Sequence, residues 1–230
     1  KIGLGVLEIC QAADVVFLGL HGACGEDGRI QAALDLMGVK YTGSGYLGSA
    51  LAMDKDLTKR LIAGTGVKTP EWQVVDYAEG DIPEIVKNAK LPCVVKPVDS
   101  GSSIGVAIPE TAAELETALI ENLKYGRVLI EQYVRGREID VGVLGDQALP
   151  SIEIIPKHGF YDYKNKYQAG ATVEICPTPI DPAIEKRLGE AALKVHRALG
   201  LSAYSRSDFI VDGEEVYFLE INTLPGMTPT

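Results

Sequence analysis

Positive charge is scarce in this 230-residue chain: 22 lysines and arginines face 32 aspartates and glutamates, a formal net charge of -10. That balance argues against a nucleic-acid binder, because holding a phosphate backbone takes clustered cations that displace counterions. A small anionic ligand stays compatible, since it needs only a few local cations or backbone N–H groups. Cysteine is sparse too. Cys10, Cys24, Cys93 and Cys176 lie far apart and form no Cys-x-x-Cys pair, which argues against zinc and against a disulfide framework. Four small buried thiols in a reducing cytosol are expected. No apolar run approaches the roughly 18 residues of a membrane span, and the start lacks a basic-then-apolar leader. A cytoplasmic protein without membrane or nucleic-acid partners is the expectation. The chain also lacks an initiating Met: it opens at Lys1 within a running element and stops at Thr230 within a motif, so a fragment of a longer protein is expected. What is present, 46% hydrophobic and 23% charged residues, is ordinary globular composition.

The apolar run Val15 to Leu20 predicts a strand buried on both faces. A glycine-rich turn follows, then Ile30, Ala33, Leu34 and Met37 at helical spacing, closed by Gly38. A second helix is predicted from the Gly43–Gly48 turn through Lys55 to about Gly64. Trp72–Val75, Cys93–Lys96 and Val128–Val134 read as strands, and Thr111 with Glu114 forms a capping box for a helix reaching about Tyr125. Glu138–Leu144 and Ala148–Ile155 pair around Gly145-Asp146, and a long polar loop runs from Pro156 to Thr172. Asp181 caps and Pro182 opens the last helix, which closes at Gly200. The order is an α/β piece followed by two α+β pieces, divided near Gly43 and Val134.

The final hairpin, Ala203 to Asn222, alternates. Phe209, Val211, Tyr217, Leu219 and Ile221 are apolar, while Arg206, Asp208, Glu220 and Asn222 are polar. The two polar sets share a face only if even positions pair with even, which asks for an odd number of loop residues around Asp212-Gly213. Two carboxylates and an amide oxygen make a hard oxygen site of the kind Mg²⁺ takes; the plainer reading is the solvated face of an edge hairpin. Asn222-Thr-Leu-Pro-Gly226 follows directly, placing these groups at a strand's end.

Val94-Val-Lys96-Pro97 runs into Ser100-Gly-Ser-Ser-Ile-Gly105, a loop with several N–H groups and a lysine able to cradle phosphate. It is no Walker A motif, and a plain hairpin turn explains it as well. Gly43-Ser-Gly45-Tyr-Leu-Gly48 matches the dinucleotide fingerprint by chance, lacking the acidic strand end that should follow. Gly22, Gly25 and Gly28 form a better ligand loop, with His21 at its lip, while His158 and His196 carry no assignment.

Taken together, Lys96, the Gly/Ser loop, Glu131, Glu138 and the Asp208/Glu220/Asn222 set resemble the ATP-grasp enzymes, and more narrowly the D-alanine–D-alanine ligase family. The matching stretches are Leu20-His-Gly-Ala-Cys-Gly-Glu-Asp-Gly28, Tyr41-Thr-Gly-Ser-Gly45, Met53-Asp-Lys55, Val95-Lys-Pro97 with Gly101-Ser-Ser103, Phe160-Tyr-Asp-Tyr163 with Lys166-Tyr167, and Glu220-Ile-Asn-Thr-Leu-Pro-Gly-Met-Thr228. They follow the family's order along essentially the whole chain. The resemblance implies an ATP-grasp fold, α/β and α+β, with a partial N-terminal doubly wound domain. Residues 1–43 would be the C-terminal half of the N-terminal α/β substrate domain, 44–134 the central lid subdomain and 135–230 a truncated C-terminal catalytic subdomain.

It further implies that Lys55 and Lys96 contact ATP phosphates under a lid at Ser100–Gly105, with Ser102 and Ser103 in it. The stretch Glu131, Gln132 to Val134 would hold adenine, largely through backbone groups, and Glu138 the ribose hydroxyls. Asp208, Glu220 and Asn222 would hold two Mg²⁺ ions, or Mn²⁺ in their place. Arg206 would stabilise transferring charge. Ser102, Lys166 and Tyr167 would close over the substrates, with His21 near the first D-alanine. The implied activity joins two D-alanines through an acyl phosphate for peptidoglycan precursors, in a cytoplasmic homodimer.

The chain departs from the family pattern in lacking the N-terminal Gly-rich segment with its amine-holding Glu, and the Ser expected after Thr230. Gln132 stands where some members carry Lys. D-alanine–D-lactate or D-alanine–D-serine ligation is the alternative within the class, though Tyr167 favours the dipeptide enzyme. The Phe160–Tyr167 loop speaks against an ATP-grasp carboxylase or a glutathione-synthetase-like ligase. A nucleotide-binding remnant without ligase activity is the non-catalytic alternative.

Overall fold

The computed structural model describes residues 2–101, 104–157 and 172–226. Helix α1 (Val6–Gln11) precedes the apolar run, and α2 (Arg29–Leu36) follows it. Val16 bridges Tyr41 in parallel, and Leu18, Ile30, Leu34 and Leu224 form a small core. The run is not buried on both faces as expected: Leu18 is 4% exposed, but Val15 is 56% and Phe17 60%. Alternation turns Leu18 toward α2, whereas no described residue covers the other side.

The single helix expected after Gly43 is two, α3 (Tyr46–Met53) and α4 (Lys55–Ile62). Asp54 separates them in extended backbone, and its side chain accepts from Leu57 N at 2.9 Å. An aspartate there satisfies an orphan N–H of the new helix, and the break sets Lys55 at the first position of α4.

Three antiparallel strands, β1 (Trp72–Asp76), β2 (Cys93–Pro97) and β3 (Arg127–Gln132), form a sheet in the order β1-β3-β2. Helices α5 (Ile82–Asn88) and α6 (Ala112–Asn122) cover one face. The predicted capping box opens α6: Glu114 N donates to Thr111 Oγ1 at 3.3 Å, and Thr111 N to Glu114 Oε2 at 3.1 Å. Cys93, Val95, Val128 and Ile130 pack against Leu115 and Leu119. The period of two therefore turns Val94, Lys96 and Glu131 to the opposite face.

The second sheet holds β4 (Arg137–Leu144), β5 (Gln147–Ala148), β6 (Ile152–Pro156), β7 (Thr172–Ile175), β8 (Tyr204–Asp212) and β9 (Glu215–Asn222). Its order is β7-β6-β4-β8-β9, with the short β5 on β4. Pro150 lies in the gap that splits the expected return strand into β5 and β6, since proline donates nothing to a ladder. Ile139, Val141, Phe209 and Phe218 pack on Leu188, Ala192 and Val195 of α7 (Pro182–Ala198). Asp181 caps α7 as expected, accepting from Ala183 N at 2.7 Å. The Phe209 and Phe218 rings meet edge to face, 5.8 Å between centroids.

The β8–β9 hairpin corrects one expectation in an informative way. Asp212 pairs with Glu215, so the loop has two residues, Gly213 and Glu214, not an odd number. That register would pair odd with even to the end. A bulge between Asp208 and Phe209 on the β8 side, with Leu219 as the extra residue opposite, resets it, so that Asp208 pairs with Glu220 and Arg206 with Asn222. The apolar face shifts accordingly: Phe218, 0% exposed, faces the α7 core in place of Tyr217 and Leu219. Leu219 instead joins Ile210 in the wall of a cleft.

Of the cysteines only Cys93 is buried; Cys24 and Cys176 are exposed and Cys10 half-buried, all as free thiols. The expected set of four buried thiols is not found, because Cys24 and Cys176 sit in turns and not in packed strands. Among the described residues no helix is long and apolar enough to cross a membrane.

Candidate active site between the two sheets

Strand pairing assembles a row of polar groups across the face of the second sheet that lies opposite α7. Asp140 of β4 stands opposite Asp208 of β8, which stands opposite Glu220 of β9; Gly142, Arg206 and Asn222 form the adjacent row. Directly opposed like charges destabilise a sheet, and Arg206 relieves them. Its Nε lies 3.0 Å from Asp140 Oδ2 and 2.9 Å from Asp208 Oδ1, and its Nη2 3.1 Å from Asp208 Oδ2. Burial works against charge on Arg206, but Asp208 and Asp140 outweigh it and hold its pKa well above the ordinary arginine value. Asn222 Nδ2 approaches both Asp208 oxygens at 3.4 Å, the long limit of a hydrogen bond. From α4, Lys55 Nζ reaches Glu220 Oε2 at 3.4 Å and donates to Ser100 O at 2.6 Å.

The first sheet contributes a buried ionic trio. Glu131 on β3 lies between Trp72 of β1 and Val94 of β2, and its carboxylate takes Lys96 Nζ at 2.5 Å on one oxygen and Lys59 Nζ on the other. All three side chains are nearly inaccessible, with Lys59 fully so. Lys59 also donates to Thr69 Oγ1 and sits 5.4 Å from the centre of the Trp72 ring. Burial would raise the Glu131 pKa, yet Lys96 and Lys59 hold it below the usual carboxylate value. For Lys96, burial is outweighed by Glu131 and, farther off, Glu220 and Asp208, so its pKa rises. For Lys59 burial prevails, with repulsion from Lys96, and brings it down to about 8 despite Glu131.

Between these two polar faces lies a cleft of about 440 Å³, its wall including Lys96, Glu131, Gln132, Val134, Glu138, Asp208 and Glu220. Val94, Val106, Ile108, Ile154, Ile210 and Leu219 give the same wall an apolar part. A smaller recess beyond Glu220 is bounded by Glu26, Lys55, Ser100 and Asn222. The glycine-rich loop after the Val15–Leu20 run closes that end. His21 Nδ1 lies 3.1 Å from Leu224 O, and Glu26 accepts from Gly22 N at 2.7 Å and Leu224 N at 3.4 Å. Burial raises the Glu26 pKa, with those N–H groups opposing.

Lys55, Lys96, Glu131, Gln132, Val134, Glu138, Arg206, Asp208, Glu220 and Asn222 thus surround one cleft and its recess, with His21 at the edge. Ser102, Ser103, His158, Lys166 and Tyr167 lie outside the described residues. His196 is a packing residue, its Nδ1 2.7 Å from Ser205 Oγ between α7 and β8. Three site residues carried no sequence assignment. Asp140 follows Glu138 at the strand period, Lys59 follows Lys55 at the helical period, and Glu26 sits in the glycine loop; reading those periods outward from the assigned residue finds the first two.

The cleft wall carries five carboxylates, Glu131, Glu138, Glu153, Asp208 and Glu220, against two cations, Lys96 and Arg137, so a polyphosphate entering alone meets negative charge at Asp208 and Glu220. A divalent ion would reverse that. Among the described residues no three His, Cys, Asp or Glu converge as a closed metal cage. Asp208, Glu220 and the Asn222 amide instead offer a partial set of hard oxygens, which fits Mg²⁺ completed by water and phosphate oxygens.

Residues 3–44 match the family model for the D-ala D-ala ligase N-terminus, and residues 61–230 that for the D-ala D-ala ligase C-terminus. A D-alanine–D-alanine ligase of Geobacter sulfurreducens is 47% identical over 220 residues, covering 94% of this chain and 68% of that protein. Among solved structures, the VanG D-Ala:D-Ser ligase from Enterococcus faecalis superposes with a TM-score of 0.82 at 36% identity, over 94% of this chain and 65% of that one. The Bacillus anthracis D-alanine–D-alanine ligase complexed with ATP gives 0.81 at 31% identity, over 98% of this chain and 73% of that one. The chain therefore spans roughly two thirds of the length of these relatives.

Proposed function

Because this chain belongs to the D-alanine–D-alanine ligase family, we propose that it joins two D-alanine molecules at the expense of ATP, and that the cleft between its two sheets is the nucleotide site. The observation that carries the reading is the bulge-corrected β8–β9 register. It puts Arg206, Asp208, Glu220 and Asn222 on one face, toward the cleft that Lys96, Glu131 and Glu138 line.

In this reading adenine lies along Glu131, Gln132 and Val134, against the apolar wall, and Glu138 takes the ribose hydroxyls. Lys96 and Lys55 meet the phosphates. Asp208, Glu220 and Asn222 hold Mg²⁺, which when bound neutralises phosphate oxygens and the charge that develops on them. The carboxylate of the first D-alanine, placed near His21, attacks the γ-phosphorus, and ADP leaves. The amine of the second attacks the resulting acyl carbon, phosphate leaves, and the amine's proton passes to solvent. Arg206 faces the oxygens that gain negative charge, and no protein nucleophile takes part. Catalysis is then positioning and fixed electrostatics. The named relatives at 42–47% identity are D-alanine–D-alanine ligases, which favours D-alanine over D-serine or D-lactate as second substrate.

Phosphate release by this chain with Mg·ATP checks the proposal. Release that depends on D-alanine, and is not raised when D-serine or D-lactate is added to D-alanine, is expected. Nucleotide binding with no D-alanine-dependent release would instead identify a binding remnant.

A further inference from the structure

Lys59 is among the largest fully buried side chains of the described residues, and it is a cation. Nothing in the proposed reaction uses it. It does not line the cleft, whereas both groups beside it, Glu131 and Lys96, do. Any influence on a ligand must therefore pass through Glu131.

We propose that Lys59 is the standing counter-ion of Glu131, and that by holding this carboxylate it frees Lys96 for the phosphates of the nucleotide. The inference rests on the reading of the cleft as an ATP site. Glu131 divides its two oxygens between the lysines, Lys96 on Oε2 and Lys59 on Oε1. When Lys96 turns toward a phosphate, Glu131 gives up one of two partners. With Lys59 in place the carboxylate stays neutralised. Without it, the same turn strands a buried carboxylate, a loss that would tie Lys96 to the resting arrangement. The position of Lys59 is fixed independently of both partners: it is one helical turn past Lys55 on α4, bonded to Thr69 and set against the Trp72 ring. A cation anchored from outside the cleft is what a permanent counter-ion requires, and Lys96, on the cleft wall, is the one able to move.

A purely structural lysine would support adenosine and ATP binding alike; a counter-ion that releases Lys96 acts only on phosphates. The test compares affinities for adenosine and Mg·ATP in the chain carrying Lys59→Met, Lys59→Arg, or Lys59→Met with Glu131→Gln. In Lys59→Met the ATP affinity is expected to fall by about tenfold or more while adenosine changes by less than about twofold. Lys59→Arg keeps the cation and restores the ATP-to-adenosine ratio. The double variant also restores it, because Lys96 no longer has a carboxylate to neutralise; it keeps the net charge of the wild-type trio and so keeps the test available if Lys59→Met does not fold. Equal losses for adenosine and ATP in folded Lys59→Met, or a double variant with the ratio still depressed, would overturn the inference. A wild-type chain that binds no ATP would overturn the nucleotide reading itself.

Discussion

Glu131→Gln is expected to destabilise the fold by about 3–5 kcal/mol at neutral pH, the range for removing one partner of a buried ion pair. The isosteric amide keeps the packing of β3 between β1 and β2, so the loss isolates charge. Glu131 is the carboxylate in contact with two ammoniums that have almost no access to water, Lys59 and Lys96. In the variant both face burial and each other with only the more distant Glu220 and Asp208 as compensation, and the cheapest relief is release of a proton. Lys59 already stands lowered to about 8, so it should yield first.

The sign of the pH dependence follows. In the variant the folded lysines titrate below the unfolded value near 10.4, so stability is lowest where both are charged and recovers as pH rises toward that value. On the acid side the wild type behaves differently. The folded pKa of Glu131 is depressed, so its contribution is present above about 4.3, the unfolded value, and is lost as pH falls through the lower folded value. The gap between the two proteins is therefore widest near neutrality and narrows in both directions. Urea denaturation at several pH values measures it. A gap under about 1 kcal/mol at pH 7 would contradict the picture of a dry ionic trio, since exposed pairs contribute no more than that.

Glu220→Gln should leave the fold intact and abolish Mg²⁺-dependent use of ATP. Glu220 keeps a quarter of its side chain exposed, and Lys55, 3.4 Å from it, also donates to Ser100 O, so the change in stability should be smaller than that of Glu131→Gln. The effect on chemistry is far larger in this account. The amide removes the negative charge of one of two carboxylates proposed to hold the metal, and D-alanine-dependent phosphate release should drop on the order of 100-fold or more. Asp208→Asn is a poorer probe, because it also removes the counter-charge of Arg206 and leaves that guanidinium with Asp140. A Glu220→Gln chain with unchanged thermal unfolding and full phosphate release would sink the metal assignment.

Much of this architecture could be read from alternation and caps, because those signals are local. The capping box at Thr111, the Asp181-Pro182 start of α7, and the two-faced character of β8 all sit within a few residues of the feature they determine. What escaped reading depends on backbone detail or on distance. Nothing in the run from Asp212 to Asn222 announces a bulge, since Leu219 is as apolar as a core residue; yet that one extra residue lets a two-residue turn still deliver Glu220 opposite Asp208. The break at Asp54 was hidden because Met53-Asp-Lys55 contains no Gly or Pro, and a helix cap competes there with simple continuation. Lys59 and Asp140 carry no local signal for another reason. A lysine on an amphipathic helix is ordinarily solvated, and only the arrival of β3 from far along the chain buries this one against Glu131. The exposed faces of Val15 and Phe17 show the converse, where a core-like pattern finds no covering layer among the described residues.

In the proposed function the polar face of β8 and β9 holds the metal that accompanies ATP. ATP affinity of wild type and Glu220→Gln, each titrated with and without Mg²⁺, tests it most directly. Mg²⁺ is expected to tighten ATP binding to the wild type by about tenfold or more, because the ion reverses the repulsion from Asp208 and Glu220. In Glu220→Gln most of that gain should vanish, while binding without Mg²⁺ is unchanged or tighter, one carboxylate having been removed from the path of the phosphates. Equal gains from Mg²⁺ in both proteins would contradict it, and would place the metal elsewhere than on this hairpin.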